Sequence, residues 1–189
     1  VDGSMDMLSV AYERKAEQPG ADDVLFLCQD MRSFELYGTV SAVTCCLDGI
    51  NHLTKPRDLD RCLSLLHNYL IPDGILVFDI NSEWKFNNIY ADRSYLFEEN
   101  GVFCAWQNYY NAKTRLCDFY ITLFKESEDG SYERFDASQR ERMYTKRAIR
   151  QALLRAGFEL IGEYSDFEFS KDTDECERIF VVARCKKII

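Results

Sequence analysis

The chain has 189 residues, 47% hydrophobic and 29% charged, which suffices for one domain with a sizeable core. Its net charge of −9 argues against a protein that grips nucleic acid mainly through phosphate contacts, and the one dense basic stretch, 140–150, is mixed with acid. No apolar run approaches the roughly 20 residues of a membrane helix and the acidic, polar start is no signal peptide, so a cytoplasmic chain is expected.

Residues Asp6 to Gln18 read as a helix stopped by Pro19-Gly20. Val24 to Cys28 and Val40 to Leu47 are short continuous apolar runs, as expected of strands buried on both faces. Leu59, Leu63, Leu66 and Leu70 have helical spacing; the turn signal Pro72-Asp73-Gly74 follows, then a third buried strand from Ile75 to Ile80. This alternation predicts crossover connections and a sheet with helices on its faces. The segments 102–110, 116–125 and 132–144 are aromatic and strand-forming, separated by Asn111-Ala112-Lys113-Thr114 and Glu128-Asp129-Gly130; they predict an inserted antiparallel β-meander. Lys146 to Ala156 reads as a helix capped by Gly157, followed by two strands, Phe158 to Tyr164 and Arg178 to Cys185, paired antiparallel.

Eight cysteines, Cys28, Cys45, Cys46, Cys62, Cys104, Cys117, Cys176 and Cys185, include no CxxC pair, so reduced core thiols are expected rather than a zinc ribbon. The two histidines, His52 and His67, cannot build a His-rich metal site, and no metal is expected.

Open parallel sheets bind ligands at the carboxyl ends of their strands. Three tips carry polar groups here: Gln29-Asp30-Met31, Asp48-Gly49-Ile50-Asn51-His52 and Asp79-Ile80-Asn81; Asp2-Gly3-Ser4 opens the chain as the end of a further strand. A tip carboxylate such as Asp2 can accept both hydroxyls of a ribose, and Asp30 with the Met31 backbone can read an adenine edge; the bland alternative is that either acid caps a helix or turn.

These residues carry a resemblance. The run Asp2-Gly3-Ser4-Met5-Asp6-Met7-Leu8 resembles the D-x-S-x-x-M-L segment of class I S-adenosylmethionine (SAM)-dependent methyltransferases. Gln29-Asp30-Met31, the stretch 40–53, the stretch 70–79 (with Asp73 where the family has a glycine) and Ala156-Gly157-Phe158 resemble later family motifs, in order. The aromatic meander, with Trp106, Tyr109, Phe119, Arg134, Phe135 and Tyr144, resembles the small bacterial YqeM-like subgroup, although Ala137 and Gln139 stand where that subgroup has an acid and a histidine. The resemblance implies a Rossmann-like α/β sheet, mostly parallel with an antiparallel last strand, divided as 1–83 (partial SAM-binding core), 84–145 (meander lid on the acceptor side) and 146–189 (completion of the core). It implies SAM as cofactor, held by Asp2, Gly3, Met7, Asp30, Met31, Leu47 and Asp48. It also implies a first strand and glycine-rich loop that this sequence does not contain, so a preceding segment is expected, with pairing to that fragment or to a second copy as ways of covering the sheet edge.

Methyl transfer from a sulfonium needs chiefly alignment and desolvation, with a base only if the acceptor must lose a proton. Asn51 and His52 are the candidates near the reacting centre; Asn81, Trp106 and Tyr109 are candidates for binding a small-molecule acceptor. Against these stand a locally bonded loop histidine and simple packing of the aromatics. The rival readings are a catalytically impaired methyltransferase-like interaction module and a Rossmann-type NAD-dependent oxidoreductase.

Overall fold

The computed structural model describes residues 1–166 and 174–187. Helix α1 spans Met5–Ala16 and is capped by Ser4, whose hydroxyl accepts the Met7 N–H at 3.3 Å. None of its residues is fully buried: Leu8 and Ala11 are half-buried, while Met5, Met7, Val10 and Tyr12 are exposed. The segment Val24 to Cys28, expected as a doubly buried strand, is not one: Val24 and Leu25 are exposed and the segment joins its neighbour through a single parallel bridge, Asp2 to Cys28. Its pairing stops there because only Asp2 offers it a ladder: the Asp2 N–H donates to the Leu27 carbonyl and the Gln29 N–H to the Asp2 carbonyl.

The main sheet has the order β1-β2-β8-β7. Strand β1 (Val40–Cys45) runs parallel to β2 (Leu70–Asn81), and β8 (Arg178–Cys185) runs antiparallel to both β2 and β7 (Phe158–Ser165). One parallel pair with an antiparallel last strand is the α/β arrangement expected, although Ala42 and Thr44 leave one face of β1 exposed rather than buried. The crossover from β1 to β2 is a 3-10 turn, Gly49–His52, and helix α2 (Pro56–Tyr69). This helix buries Leu59, Cys62, Leu63 and Leu66 on one face, each worth roughly 1.5–3 kcal/mol when fully buried.

The turn expected at Pro72-Asp73-Gly74 is an excursion within β2. Pairing with β1 jumps from Val40–Leu70 to Ala42–Ile75, and Asp73 takes a left-handed φ of 61°. Aspartate tolerates that conformation better than most residues. Gly74 is required beside it, since a Cβ there would sit 2.9 Å from the Ile71 carbonyl oxygen and 3.0 Å from that of Ser41.

After β2 the chain makes a short helical turn, α3 (Glu83–Lys85), and a π turn over Phe86–Tyr90. A second, antiparallel sheet follows in meander order: β3 (Ser94–Glu99), β4 (Val102–Asn111), β5 (Leu116–Glu126) and β6 (Tyr132–Arg142). Three of its strands match the expectation; β3 was not foreseen. Strand β6 is exposed from Tyr132 through Arg140 and then buries Glu141. Helix α4 (Lys146–Arg155), capped by Thr145, returns the chain to the main sheet and buries Ile149, Ala152 and Leu153. Gly157 ends it at φ 89°, where a Cβ would lie 2.7 Å from His67 Nε2.

Two cores result. The larger joins α2, α4 and the main sheet around Leu63, Phe78, Ile80, Leu153 and Val181. The smaller joins Phe86 and Tyr90 to Cys117, Phe119 and Met143, and so fastens the second sheet to the carboxyl end of β2.

Candidate active site

Strand β1 ends in two consecutive non-glycine residues at positive φ, Leu47 (59°) and Asp48 (53°). Such a pair is costly, and where the fold holds it a functional reason is worth seeking. The turn is fixed from below: the Asp48 N–H donates to Asp79 Oδ2 at 2.8 Å. It is also fixed from the side, by Arg178 of β8, which donates to Asp48 Oδ1 at 2.9 Å and to Asp79 Oδ2. Asp79 is fully buried and its Oδ1 has no hydrogen-bond partner.

The tip of β2 reaches the second sheet. Asn81, fully buried, donates from Nδ2 to Glu141 Oε2 at 2.9 Å and accepts from Lys85 Nζ at 3.2 Å. Asn51, also fully buried, accepts the Asn81 N–H at 3.0 Å and donates to the Arg142 carbonyl at 2.8 Å. One asparagine thus pins the β1–α2 loop to both sheets. Glu141 faces Asp48 carboxyl to carboxyl, and the ligand atoms of Asp48, His52 and Glu141 all lie within 4.8 Å of one another. Arg178 already supplies the counter-charge of Asp48, so we do not assign this set as metal ligands. Burial, followed by the Asp48 charge, pushes the Glu141 carboxyl up to about 8, against the opposing pull of Asn81 and Lys85.

The first two tips lie side by side through the Asp2–Cys28 bridge. Asp2 Oδ1 accepts the Ser4 N–H at 2.8 Å, which is the turn-capping role weighed from sequence; the residue is exposed. Asp30 is gripped by the Arg32 guanidinium through both carboxylate oxygens, which holds its carboxyl at about 2 and keeps it ionised. Gly3 is open on all sides, Met7 is 62% exposed, and Met31 packs on the main core.

The acceptor-side candidates separate. Asn51 and Asn81 are both fully buried, with both ends of their amides engaged in hydrogen bonds. His52 is exposed beside Asp48 and Glu141. Trp106 shares a face of the second sheet with Glu141 and packs on Tyr90, Tyr95 and Phe119, its indole N–H buried without a partner. Tyr109 is on the opposite face, 53% exposed, edge-on to Tyr120, because β4 alternates sides at each residue. Ala137 and Gln139 are exposed, and the acid of this strand that reaches the main sheet is Glu141. Sequence reasoning passed over Glu141, Lys85 and Arg178; a lone acid in a run of alternating charges gave no sign of its burial. Two hollows lie away from these residues, one at α4 and β7 beside Leu154, Gly157 and Leu160, the other on the face of the second sheet opposite Glu141.

Most of the thiols behave as core groups, whereas Cys28 and Cys46 are exposed, contrary to the expectation of core thiols throughout. Cys62, Cys104, Cys117, Cys176 and Cys185 are buried, and burial pushes Cys45 up to about 11 and Cys62 up to about 12. Among the described residues no helix is long and apolar enough to cross a membrane.

No family model matches the chain. Individual proteins do. A Geobacillus protein carried under a methyltransferase name is 29% identical over 184 residues, covering 97% of this chain and 74% of its own length. The Bacillus subtilis protein carried under the methyltransferase name YqeM is 28% identical over 191 residues, covering 100% of this chain and 75% of its own length. A shorter stretch, 76 residues or 40% of this chain and 28% of the relative, is 36% identical to the dTDP-3-amino-3,6-dideoxy-alpha-D-glucopyranose N,N-dimethyltransferase of Streptomyces fradiae. Among solved structures, a SAM-dependent methyltransferase from Clostridium acetobutylicum superposes with a TM-score of 0.91 at 26% identity, over 98% of this chain and 74% of that one. These likenesses run through both sheets, so the chain is similar in sequence and in fold to SAM-dependent methyltransferases.

Proposed function

We propose that this chain transfers a methyl group from SAM to a nitrogen of a small-molecule acceptor in a bacterial cytoplasm. The observation that carries the reading is the meeting of the β1 and β2 tips at one end of the main sheet, where the positive-φ turn at Leu47–Asp48 is held by Asp79. The acids present suit the cofactor. Asp2 keeps one carboxylate oxygen free to accept ribose hydroxyls, and ionised Asp30, with the Met31 backbone, suits an adenine edge. Leu47 and Asp48 would flank the methionine portion, with Gly3 and Met7 beside the adenine. When bound, SAM supplies a methyl group already activated on a sulfonium.

The protein's own contribution is then alignment and exclusion of water. Asp79, Arg178 and Asn51 hold the turn and the second sheet in fixed relation, and residues 84–145 form the acceptor side, with Trp106 and Phe119 as its apolar wall. A nitrogen acceptor is favoured by the named activity of the S. fradiae relative and by the acidic balance of the chain, which steers cations inward. The test is transfer of a labelled methyl from SAM to a panel of amino sugars, amino acids and their hydroxyl-only counterparts. Labelled product from amines alone supports the reading; label only in the hydroxyl compounds, or in none, refutes it.

A further inference from the structure

We propose that Glu141 is the catalytic base of this chain: it receives the ammonium of the acceptor between its own carboxylate and that of Asp48, and takes the proton that must leave before nitrogen can be methylated. The inference rests on the methyl-transfer reading above and names the substrate class as primary or secondary amines that are cationic in solution.

The placement of Glu141 is the argument. It is 1% exposed at the end of a strand whose preceding nine residues are all exposed, so the fold buries this acid selectively. A buried carboxylate is expensive unless something pays it back, and Glu141 has one neutral donor, Asn81, and one carboxylate, Asp48, as its nearest polar contacts. Two carboxyl groups face to face need either a shared proton or a cation between them. Beneath them Asp79 keeps a buried oxygen without a partner on the same side of β2 as Asn81. The cationic side chains nearby are committed elsewhere: Arg178 to Asp48 Oδ1 and Asp79, and Lys85 to Asn81 Oδ1 and Glu177. With Glu141 ionised the corner carries more negative than positive charge, and it borders solvent at exposed His52. An alkylammonium supplies the missing cation and the proton together.

The step balances simply. Glu141 first releases its own proton to solvent as the ammonium binds beside it; one N–H bond of the ammonium then breaks, its electron pair stays on nitrogen as the lone pair that methylation requires, and that proton passes to the ionised Glu141 oxygen. The groups facing that carboxyl are Asp48 and His52 from the β1–α2 connection, Asn81 from β2, Lys85 and Tyr90 from the helical turns after β2 and Cys117 from β5, with Arg178 of β8 bound to the far partner Asp48. Tyr90 and Cys117 are pushed up by burial and stay neutral. A carboxyl that titrates near 8 is well matched to an ammonium, since efficient proton transfer favours donors and acceptors close to working pH.

The test uses the full chain carrying carbon-13 in its Glu side-chain carboxyls, titrated from pH 5 to 10 with saturating S-adenosylhomocysteine. The probes are glucosamine and, as the neutral counterpart, N-acetylglucosamine. One carboxyl is expected to titrate near pH 8, to vanish in Glu141→Gln, and to move at least one pH unit lower with glucosamine but not with N-acetylglucosamine. In parallel, for whichever amine of the panel accepts methyl, Glu141→Gln is expected to lose about 100-fold or more in kcat together with the alkaline rise of the pH profile. Glu141→Asp is expected to keep that rise at a reduced rate. A Glu141 carboxyl that ignores glucosamine, an unchanged pH profile in Glu141→Gln, or a rate that depends on added Mg2+ overturns the proposal. Loss of S-adenosylhomocysteine binding by the unaltered chain sinks the methyltransferase reading instead, and the carboxyl titration is read independently of it.

Discussion

Replacing Glu141 by Gln keeps the shape of a buried side chain and removes its ability to ionise, so stability should respond in a pH-dependent way. The ordinary carboxyl value is 4.5, and in the folded chain it is pushed up to about 8. Between those values the native state holds a proton that the unfolded chain has released. Stability contributed by this group is therefore fully present below about pH 4.5 and is lost as pH rises through about 8. At about 1.4 kcal/mol per pH unit the interval sets a ceiling of roughly 5 kcal/mol. Local relaxation reduces it, and about 2 kcal/mol is the expected loss by pH 9. For a chain of this length that is a Tm shift of about 4–8 °C. Calorimetry of both proteins should find Glu141→Gln near the unaltered chain at pH 5, where the amide can still donate to Asp48, and clearly more stable at pH 9. The reasoning is refuted if the difference in Tm is the same at both pH values. A more stable, less active variant would be a stability cost held at a working site.

Arg178→Ala leaves Asp48 and buried Asp79 without their cation and should cost about 3 kcal/mol in denaturant unfolding at pH 7, partly recovered by adding Asp79→Asn. Gly157→Ala places a methyl 2.7 Å from His67 Nε2 at a positive φ and should lower stability by about 1–3 kcal/mol; His67→Ala in the same chain should restore only the steric share. Asn51→Ala removes the brace between the β1–α2 loop and both sheets, and should cost about 1–3 kcal/mol while speeding hydrogen exchange at the Asn81 amide.

The elements with a strong repeat were legible in the sequence. Helices α2 and α4, β2, the last two strands and three strands of the meander follow from their periodicity and punctuation. Val24 to Cys28 was misread because a short apolar run signals a strand without saying whether a ladder exists beside it; here the single bridge to Asp2 is all that forms. At the candidate site, the strand-tip acids were visible as residue types at expected places. Their partners were not, since Arg32 on Asp30 is local while Arg178 on Asp48 joins residues 130 apart. Glu141 lay beyond reach for the same reason: its burial comes from the way β6 ends against Asn81, sixty residues earlier. Tyr109 shows the limit of composition, since two aromatics three residues apart on one strand face opposite ways.

The central claim is that the strand tips form one adenosine site at the carboxyl end of the main sheet. A crystal structure of this chain with S-adenosylhomocysteine tests it directly. The account predicts ribose hydroxyls on Asp2, the adenine edge at Asp30 and Met31, and the homocysteine portion beside Leu47 and Asp48. A ligand bound in the hollow between α4 and β7, or along the face of the second sheet opposite Glu141, would contradict it.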